Sequence, residues 1–272
     1  MSINVSGNIL SSTGFTPSGE ITNTPNIVTD GLVLWYDAGN NASYNNSSTY
    51  YDCGYGCQYY GSNPGCTNCN TQIKDMSGYG HDGAFNGGMT VTYTGATGGS
   101  LLLTGSEYTV ATNTSFMNFS SGQTICMWLK PTSDTTQRRN PYNQAYGGPG
   151  TITYEPATNL NYFFGTNGGD STPYVGVTSG FNLSSTDVNF ISVTRSQSLD
   201  VCKWYHNGVL YTDTNAGGYT TTANGTANIQ IGYGYTGYAF LGNIYVVLVY
   251  NKYLTQSEIV QNFNADRSRF GI

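Results

Sequence analysis

Apolar and polar positions alternate along most of the chain in short runs separated by glycine- and asparagine-rich breaks. From Ile244 to Tyr250 every residue is apolar and most are β-branched or aromatic, the pattern of a strand covered on both faces. In Thr124 to Lys130, Ile125, Met127 and Leu129 point one way and Cys126 and Trp128 the other. Both sets are apolar, so this strand is expected at the centre of a sheet. Further strands are predicted at Leu32 to Asp37, Leu101 to Thr104, Tyr108 to Ala111, Tyr162 to Gly165, Tyr174 to Val177, Asn189 to Thr194, Val201 to His206, Val209 to Tyr211 and Asn228 to Gly232. Asn207-Gly208, between Trp204-Tyr205 and Val209-Leu210, signals a two-residue hairpin, because a type I′ turn needs positive φ at both central positions. Ile191 with Val193, and Ile229 with Ile231, complete the expected core. Leu254 to Arg267 departs from the alternation: Thr255 and Glu258 have capping-box spacing, and Ile259 and Phe263 lie four apart on one face. The pattern predicts an all-β protein, an antiparallel β-sandwich of jelly-roll type closed by a short C-terminal helix.

Two stretches fall outside the strand pattern. Residues 1–28 are mostly Ser, Thr, Asn, Gly and Pro with isolated aliphatics, too few to bury a core of their own. An extended N-terminal arm is expected there, with Ile3, Val5, Ile9, Leu10 and Phe15 as anchors on a neighbouring subunit, and one sandwich domain over residues 29–272. The second stretch, from about 39 to 72, is an insertion rich in Tyr, Asn, Gly and Cys, long for a compact domain unless functional or cross-linked. Within it Cys53, Cys57, Cys66 and Cys69 follow a C-x3-C-x8-C-x2-C spacing. Four thiolates on a loop could close a structural zinc site, or pair as two disulfides in one of three connectivities; either group is structural. Cys126 and Cys202 lie in apolar strand patterns and are assigned to the core.

Composition narrows the partners. A net charge of −6 with only nine Lys and Arg excludes nucleic acid as a partner, since phosphate neutralisation needs clustered cations. No apolar run approaches the roughly 20 residues that span a bilayer, so no membrane is expected. Met1-Ser-Ile-Asn-Val-Ser6 lacks a basic and then an apolar region, so no signal peptide is expected. With 24 Tyr and only 9% charged residues, solubility rests on neutral polar groups, and tyrosine-bearing loops become candidate contacts. Tyr233, Tyr235 and Tyr238 form one cluster, Tyr142 and Tyr146 another. Their rings suit stacking on sugars and equally packing on protein. His206 adjoins the Asn-Gly turn and is expected in solvent.

The segments 31–40 (GLVLWYDAGN), 75–83 (DMSGYGHDG), 98–105 (GGSLLLTG), 123–132 (QTICMWLKPT) and 204–210 (WYHNGVL), followed by LTQSEI at 254–259 and RFG at 269–271, resemble the concanavalin A-like lectin/glucanase fold in its laminin-G-like form. Similar domains occur in virion structural proteins of tailed phages, and the likeness covers roughly residues 26–272. It implies a non-enzymatic virion protein, either capsid decoration or a tail or fibre component, made in the host cytoplasm. Residues 1–28 would then engage other virion proteins, and homo-oligomers are expected. The alternative is an adhesion module for host surface polysaccharide. Glucanases of this fold carry an E-x-D-x-E strand, absent here, where the glutamates are only Glu20, Glu107, Glu155 and Glu258; two carboxylates are required for glycoside hydrolysis. Calcium, which such domains often bind, is disfavoured. Asp37, Asp75 and Asp82 are the available ligands, but Tyr245 and Val246 stand where relatives carry acids.

Overall fold

The computed structural model describes residues 26–40, 42–44, 51–52, 58–59, 71–94, 97–133, 136–156, 159–216, 225–234 and 238–272. Residues 1–25, with the anchors expected of an arm, lie outside them, as do Cys53, Cys57, Cys66 and Cys69. The strands in chain order are β1 (Leu32–Asp37), β2 (Tyr51–Asp52), β3 (Gln58–Tyr59), β4 (Gln72–Ile73), β5 (Gly83–Asn86), β6 (Thr90–Thr94), β7 (Gly98–Leu103), β8 (Tyr108–Ala111) and β9 (Gly122–Pro131). They continue as β10 (Arg139–Ala145), β11 (Gly150–Tyr154), β12 (Asn159–Gly165), β13 (Tyr174–Asn182), β14 (Asn189–Ser196), β15 (Val201–His206), β16 (Val209–Asn215), β17 (Ile229–Ile231) and β18 (Gly242–Tyr250). One helix, α1 (Gln256–Asp266), and a 3-10 turn over Arg267–Phe270 follow.

Two antiparallel sheets form the sandwich. Sheet I runs β16-β15-β14-β9-β18-β7-β6, and sheet II runs β13-β12-β11-β10-β17-β8-β5-β4. β18 pairs with β9 along one edge and shares the other between β7, at residues 242–244, and β1, at residues 246–250. Inward residues of both sheets, among them Ile125, Met127, Leu129, Val247 and Val249 from sheet I and Tyr142, Ile152, Leu160, Tyr162 and Phe164 from sheet II, make one core between the layers.

The opposite face of sheet I makes a second core. Cys126, Trp128, Phe190, Val246, Leu248 and Tyr250 pack there against Ile259 and Phe263 of α1 and against Ile27 and Val28. β9 therefore has both faces buried, as its alternation predicts. The Trp128 ring lies 4.5 Å from Phe270, 5.0 Å from Phe190 and 5.7 Å from Phe263. Asn262 stitches three segments together: its Oδ1 accepts from Val28 N at 2.9 Å, and its Nδ2 donates to the Tyr250 hydroxyl at 3.0 Å. Residues 27–28, assigned by the sequence pattern to the arm, are thus already packed on the sandwich.

The capping box forms as its spacing predicts: Glu258 Oε2 accepts from Thr255 N at 2.7 Å, and Thr255 Oγ1 from Glu258 N at 3.4 Å. The hairpin also forms, with φ of 50° at Asn207 and 79° at Gly208. Glycine is required there twice over, because a Cβ on Gly208 would sit 3.0 Å from the Phe263 ring.

Seven strands escape the sequence reading: β2, β3, β4, β5, β6, β10 and β11. β10 is the instructive one. Its sequence RNPYNQA has no apolar run and contains Pro141, yet it is central in sheet II, with a register shift between Arg139 and Tyr142 that accommodates the proline.

At the end of α1, Asp266 is buried close to the ion pair of Asp37 and Arg269, whose Oδ1 and Nη1 are 2.8 Å apart. Burial, reinforced by the Asp37 charge and offset in part by Arg269, pushes the Asp266 carboxyl up to about 7. The folded protein thus keeps this proton to a higher pH than the unfolded chain, whose carboxyl titrates near ~3.9. Stability contributed by the neutral carboxyl is fully present below that value and is lost as pH rises through about 7. Asp266→Asn, which stays neutral, should raise Tm relative to the wild type more at pH 8 than at pH 5 in thermal melts. Trp128→Ala should cost about 3–5 kcal/mol in urea unfolding, since it empties the ring cluster under α1.

Candidate functional site

The outer face of sheet II carries an unusual concentration of side-chain amides, hydroxyls and rings. Alternation in β12 sends Leu160, Tyr162 and Phe164 into the core and leaves Asn161 and Phe163 on the outer face. Phe163 faces Gly176 across the β12–β13 ladder. A Cβ on that glycine would come within 2.6 Å of the ring, so the bare backbone is what lets Phe163 lie flat over β13.

Around Phe163 gathers an aromatic cluster. Tyr146 lies 5.3 Å and Tyr174 5.8 Å from it between ring centroids, the latter edge-on at 89°. The Arg138 guanidinium sits 5.5 Å from the Phe163 centroid and pairs with Glu155 at 2.9 Å. Glu155 in turn accepts from Thr153 Oγ1 at 2.6 Å. Tyr146 is fixed from two sides: Asp170 Oδ1 accepts from its backbone N at 3.1 Å, and its hydroxyl accepts from Asn140 Nδ2 at 3.1 Å. Burial raises the Tyr146 pKa, while Asn140 and Arg138 pull it back down. Tyr174 is 37% exposed, so one ring of the cluster meets solvent.

From these rings a polar row crosses the strands. Asn161 Oδ1 accepts from Thr178 Oγ1 at 2.6 Å, Asn143 Oδ1 from Thr151 Oγ1 at 2.8 Å, and Gln230 Oε1 from Asn143 Nδ2 at 3.1 Å. The row is most buried in its middle, at Thr151, Thr153 and Asn143, half-buried at Asn161 and Gln230, and exposed at Thr178. The ion pair beside it, Arg138 with Glu155, is neutral as a pair. Rings beside neutral donors and acceptors can stack on a ligand and exchange hydrogen bonds with its hydroxyls.

The tyrosines singled out from the sequence have different fates. Tyr146 belongs to the cluster. Tyr233 stacks on Tyr108 at 4.7 Å, and the Tyr238 carbonyl accepts from Asn140 N at 2.8 Å, so Tyr233 lies against β8 and Tyr238 beside β10, both strands of sheet II. Tyr235 is outside the described residues. Tyr142 is a correction: it is 0% exposed in the core between the sheets, because it is the strand neighbour of outward-facing Asn143 and its ring therefore points inward with Ile152 and Tyr154. A contact residue must reach the surface, and Tyr142 does not. His206 is a second correction. It is half-buried, stacked on Phe181 at 4.6 Å and 5°, and burial lowers its pKa. Phe163, Tyr174 and Arg138 escaped the sequence reading as contact residues. For Phe163 the signal existed: it alternates with Leu160, Tyr162 and Phe164.

The other candidate groups are occupied by protein partners. Asp75 accepts from Trp35 N, Ser77 N, Ser77 Oγ and His81 N, and Asp37 pairs with Arg269. Glu107 accepts from Thr104 and Ser106, and Glu258 is the helix cap. Among the described residues no group of three or more His, Cys, Asp or Glu could hold a metal ion. Cys126 and Cys202 are buried as expected, and burial pushes both thiols up to about 12.

Residues 103–260, more than half of the chain, match the family described as the concanavalin A-like lectin/glucanases superfamily. The chain belongs to this superfamily. No curated protein matches it. Among solved structures this lectin/glucanase-like sandwich is similar to the binding domain of botulinum neurotoxin DC in complex with rat synaptotagmin II, at 12% identity and a TM-score of 0.61, covering 88% of this chain and 52% of that one. It is likewise similar to botulinum neurotoxin type C, whose cell entry depends on interaction with two ganglioside molecules, at 13% identity and TM-score 0.61, covering 88% and 52%. The chain thus spans about half the length of these toxin structures. Domain 4 of an extracellular arabinanase from Geobacillus stearothermophilus, in complex with arabinotriose, is matched over 98% of its length and 86% of this chain, at 15% identity and TM-score 0.59.

Tyr142→Ala should destabilise the domain by about 3–5 kcal/mol in urea unfolding, whereas Tyr174→Ala should stay within about 0.5–1 kcal/mol of the wild type. Equal costs would mean that the two rings share one environment.

Proposed function

We propose that this domain is a non-enzymatic glycan-binding module whose ligand lies on the outer face of sheet II. The observation that carries the reading is the Phe163–Tyr146–Tyr174 cluster set beside the row of Asn161, Thr178, Asn143, Thr151 and Gln230. A pyranose presents an apolar face and a rim of hydroxyls. Exposed Tyr174 with half-buried Phe163 would take the first, and half-buried Asn161 and Gln230 with exposed Thr178 the second, while buried Tyr146, Asn143 and Thr151 hold them in place. The row bonds internally without a ligand, so it is held in place before binding, which lowers the ordering cost. Two structural neighbours support the reading through their own ligands, gangliosides and arabinotriose. The non-enzymatic part rests on Glu107, Glu155 and Glu258, each engaged by protein partners. The resemblance of the sequence to virion proteins supports carriage on a phage particle, with the part of residues 1–28 that precedes Ile27 toward other virion proteins. In that setting the ligand would be host surface polysaccharide.

Isothermal titration against a panel of neutral polysaccharides and oligosaccharides tests the proposal. At least one should bind the wild type, and Phe163→Ala and Tyr174→Ala should each weaken it about tenfold, as expected for roughly 1.4 kcal/mol of lost ring contact. Tyr79→Ala, which removes an exposed ring elsewhere, should bind as the wild type does. Unchanged affinity in the Phe163 and Tyr174 variants, or no binding across the panel, would sink the proposal.

A further inference from the structure

The two sheets of the sandwich end in four edge strands, β16 and β6 in sheet I and β13 and β4 in sheet II. An edge strand turns the N–H and C=O of every second residue outward without a ladder partner, and edges that stay single are blunted by bulges, charges, proline or brevity. Three of the four edges are guarded in this way. β16 carries a register shift against β15 and the charge of Asp213, which pairs with Lys203 at 2.8 Å. β13 carries a register shift against β12, and its Ser179 carbonyl accepts from Thr212 Oγ1 of β16 at 2.7 Å, so these two edges also cover each other. β4 is only two residues long.

β6 has none of these devices. Thr90 to Thr94 pair one for one with Leu102 to Gly98 of β7, without a shift. The sequence TVTYT has no charge, proline or glycine, and all five residues are of β-favouring types. Four of the five are exposed, Tyr93 at 37%. Among the described residues, none pairs with its outer edge.

The strand is also complementary to itself. Val91 stands opposite Leu101 of the inner core, so Val91 and Tyr93 share the core-facing side, and the three threonines share the other. A second β6 laid antiparallel, Thr92 against Thr92, sets each Val91 beside the other copy's Tyr93 and each Thr90 beside its Thr94. Aromatic then meets β-branched on one face and threonine meets threonine on the other, both favourable cross-strand pairs. A slip of one residue would set Val91 and Tyr93 against threonines, which fixes the register. Charge does not oppose the contact: neither β6 nor β7 contains a charged residue, so the net charge of −6 lies away from the seam.

We propose that this edge docks a second copy of the chain, β6 on β6 about a two-fold axis at Thr92, so that sheet I runs on from one copy into the other. The contact uses the same patch on both copies and closes at two. Five residues a side bury less than the ~1,200 Å² of a lasting interface, so the dimer exchanges with monomer.

Sedimentation equilibrium of the full chain from about 10 μM to about 1 mM should show the mass rising from one chain toward two. Over the same range, amide exchange at residues 90–94 should slow. Thr92→Lys, at an exposed position, sets two like charges face to face on the axis. It should weaken association at least ~tenfold and remove the concentration-dependent protection. Val209→Lys, on the far edge of sheet I, should associate as the wild type does. Should Thr92→Lys fail to fold, the wild-type mass and exchange data decide. A wild type that is monomeric at about 1 mM, a dimer that Thr92→Lys leaves intact, or protection that rises elsewhere but not at 90–94 overturns the proposal.

Discussion

The centre of sheet I, at β9 and β18, is apolar on both faces, and the need to keep both dry arranges the rest of the molecule. In β9 the inward set, Ile125, Met127 and Leu129, meets sheet II, while Cys126 and Trp128 on the other side meet α1. β18 behaves the same way, and it is also the strand on which β9, β7 and β1 all depend for their hydrogen bonds. Once one face is taken by a sheet, the other needs a second cover, since burial of apolar area is the main favourable contribution to folding. The C-terminal helix, the 3-10 turn with Phe270 and residues 27–28 supply it.

That division of labour explains where polar chemistry ends up. On the outer face of sheet II the buried side chains find polar partners in one another, so they need not be apolar. They are amides, hydroxyls and a few rings, bonded to one another in a row. Self-bonding keeps β10 and β11 in place despite their polar composition, because buried Asn143, Thr151 and Thr153 all find partners. The same bonds can be traded for those of a hydroxyl-bearing ligand, which gives the face its candidate role. Arg195, buried between the sheets, follows the same rule: its Nη2 donates to the Phe119 carbonyl and its guanidinium lies over the Phe164 ring.

Legibility in the sequence followed the physics of each element. β1, β9, β15 and β18, the Asn207-Gly208 turn and the Thr255–Glu258 cap were all visible, because each is specified by local chemistry: an apolar run, a positive-φ pair or a capping pair. β10 was not, because a strand held by amide bonds and ladder partners leaves no hydrophobic period to read, and β11 was not, because Ile152 and Tyr154 alternating with two threonines make only a two-residue signal. The candidate site was half legible. Tyr146 was singled out, but its neighbour Tyr142 was given the same role, and the side-chain directions of the two became distinct only with the register shift in β10.

The chain by itself determined the class of fold, the central strands, the two-faced burial of sheet I and the helix that follows it, since these depend on periodicity and turn chemistry within a few residues. Tertiary structure alone decided which tyrosines are core and which are surface, that Phe163 has Arg138 and Tyr174 for company, and that Arg195 lies between the sheets. Those outcomes depend on contacts between strands distant in sequence, such as β12 on β13 and β14 on β9, and no local pattern encodes which residue a partner strand will bring opposite.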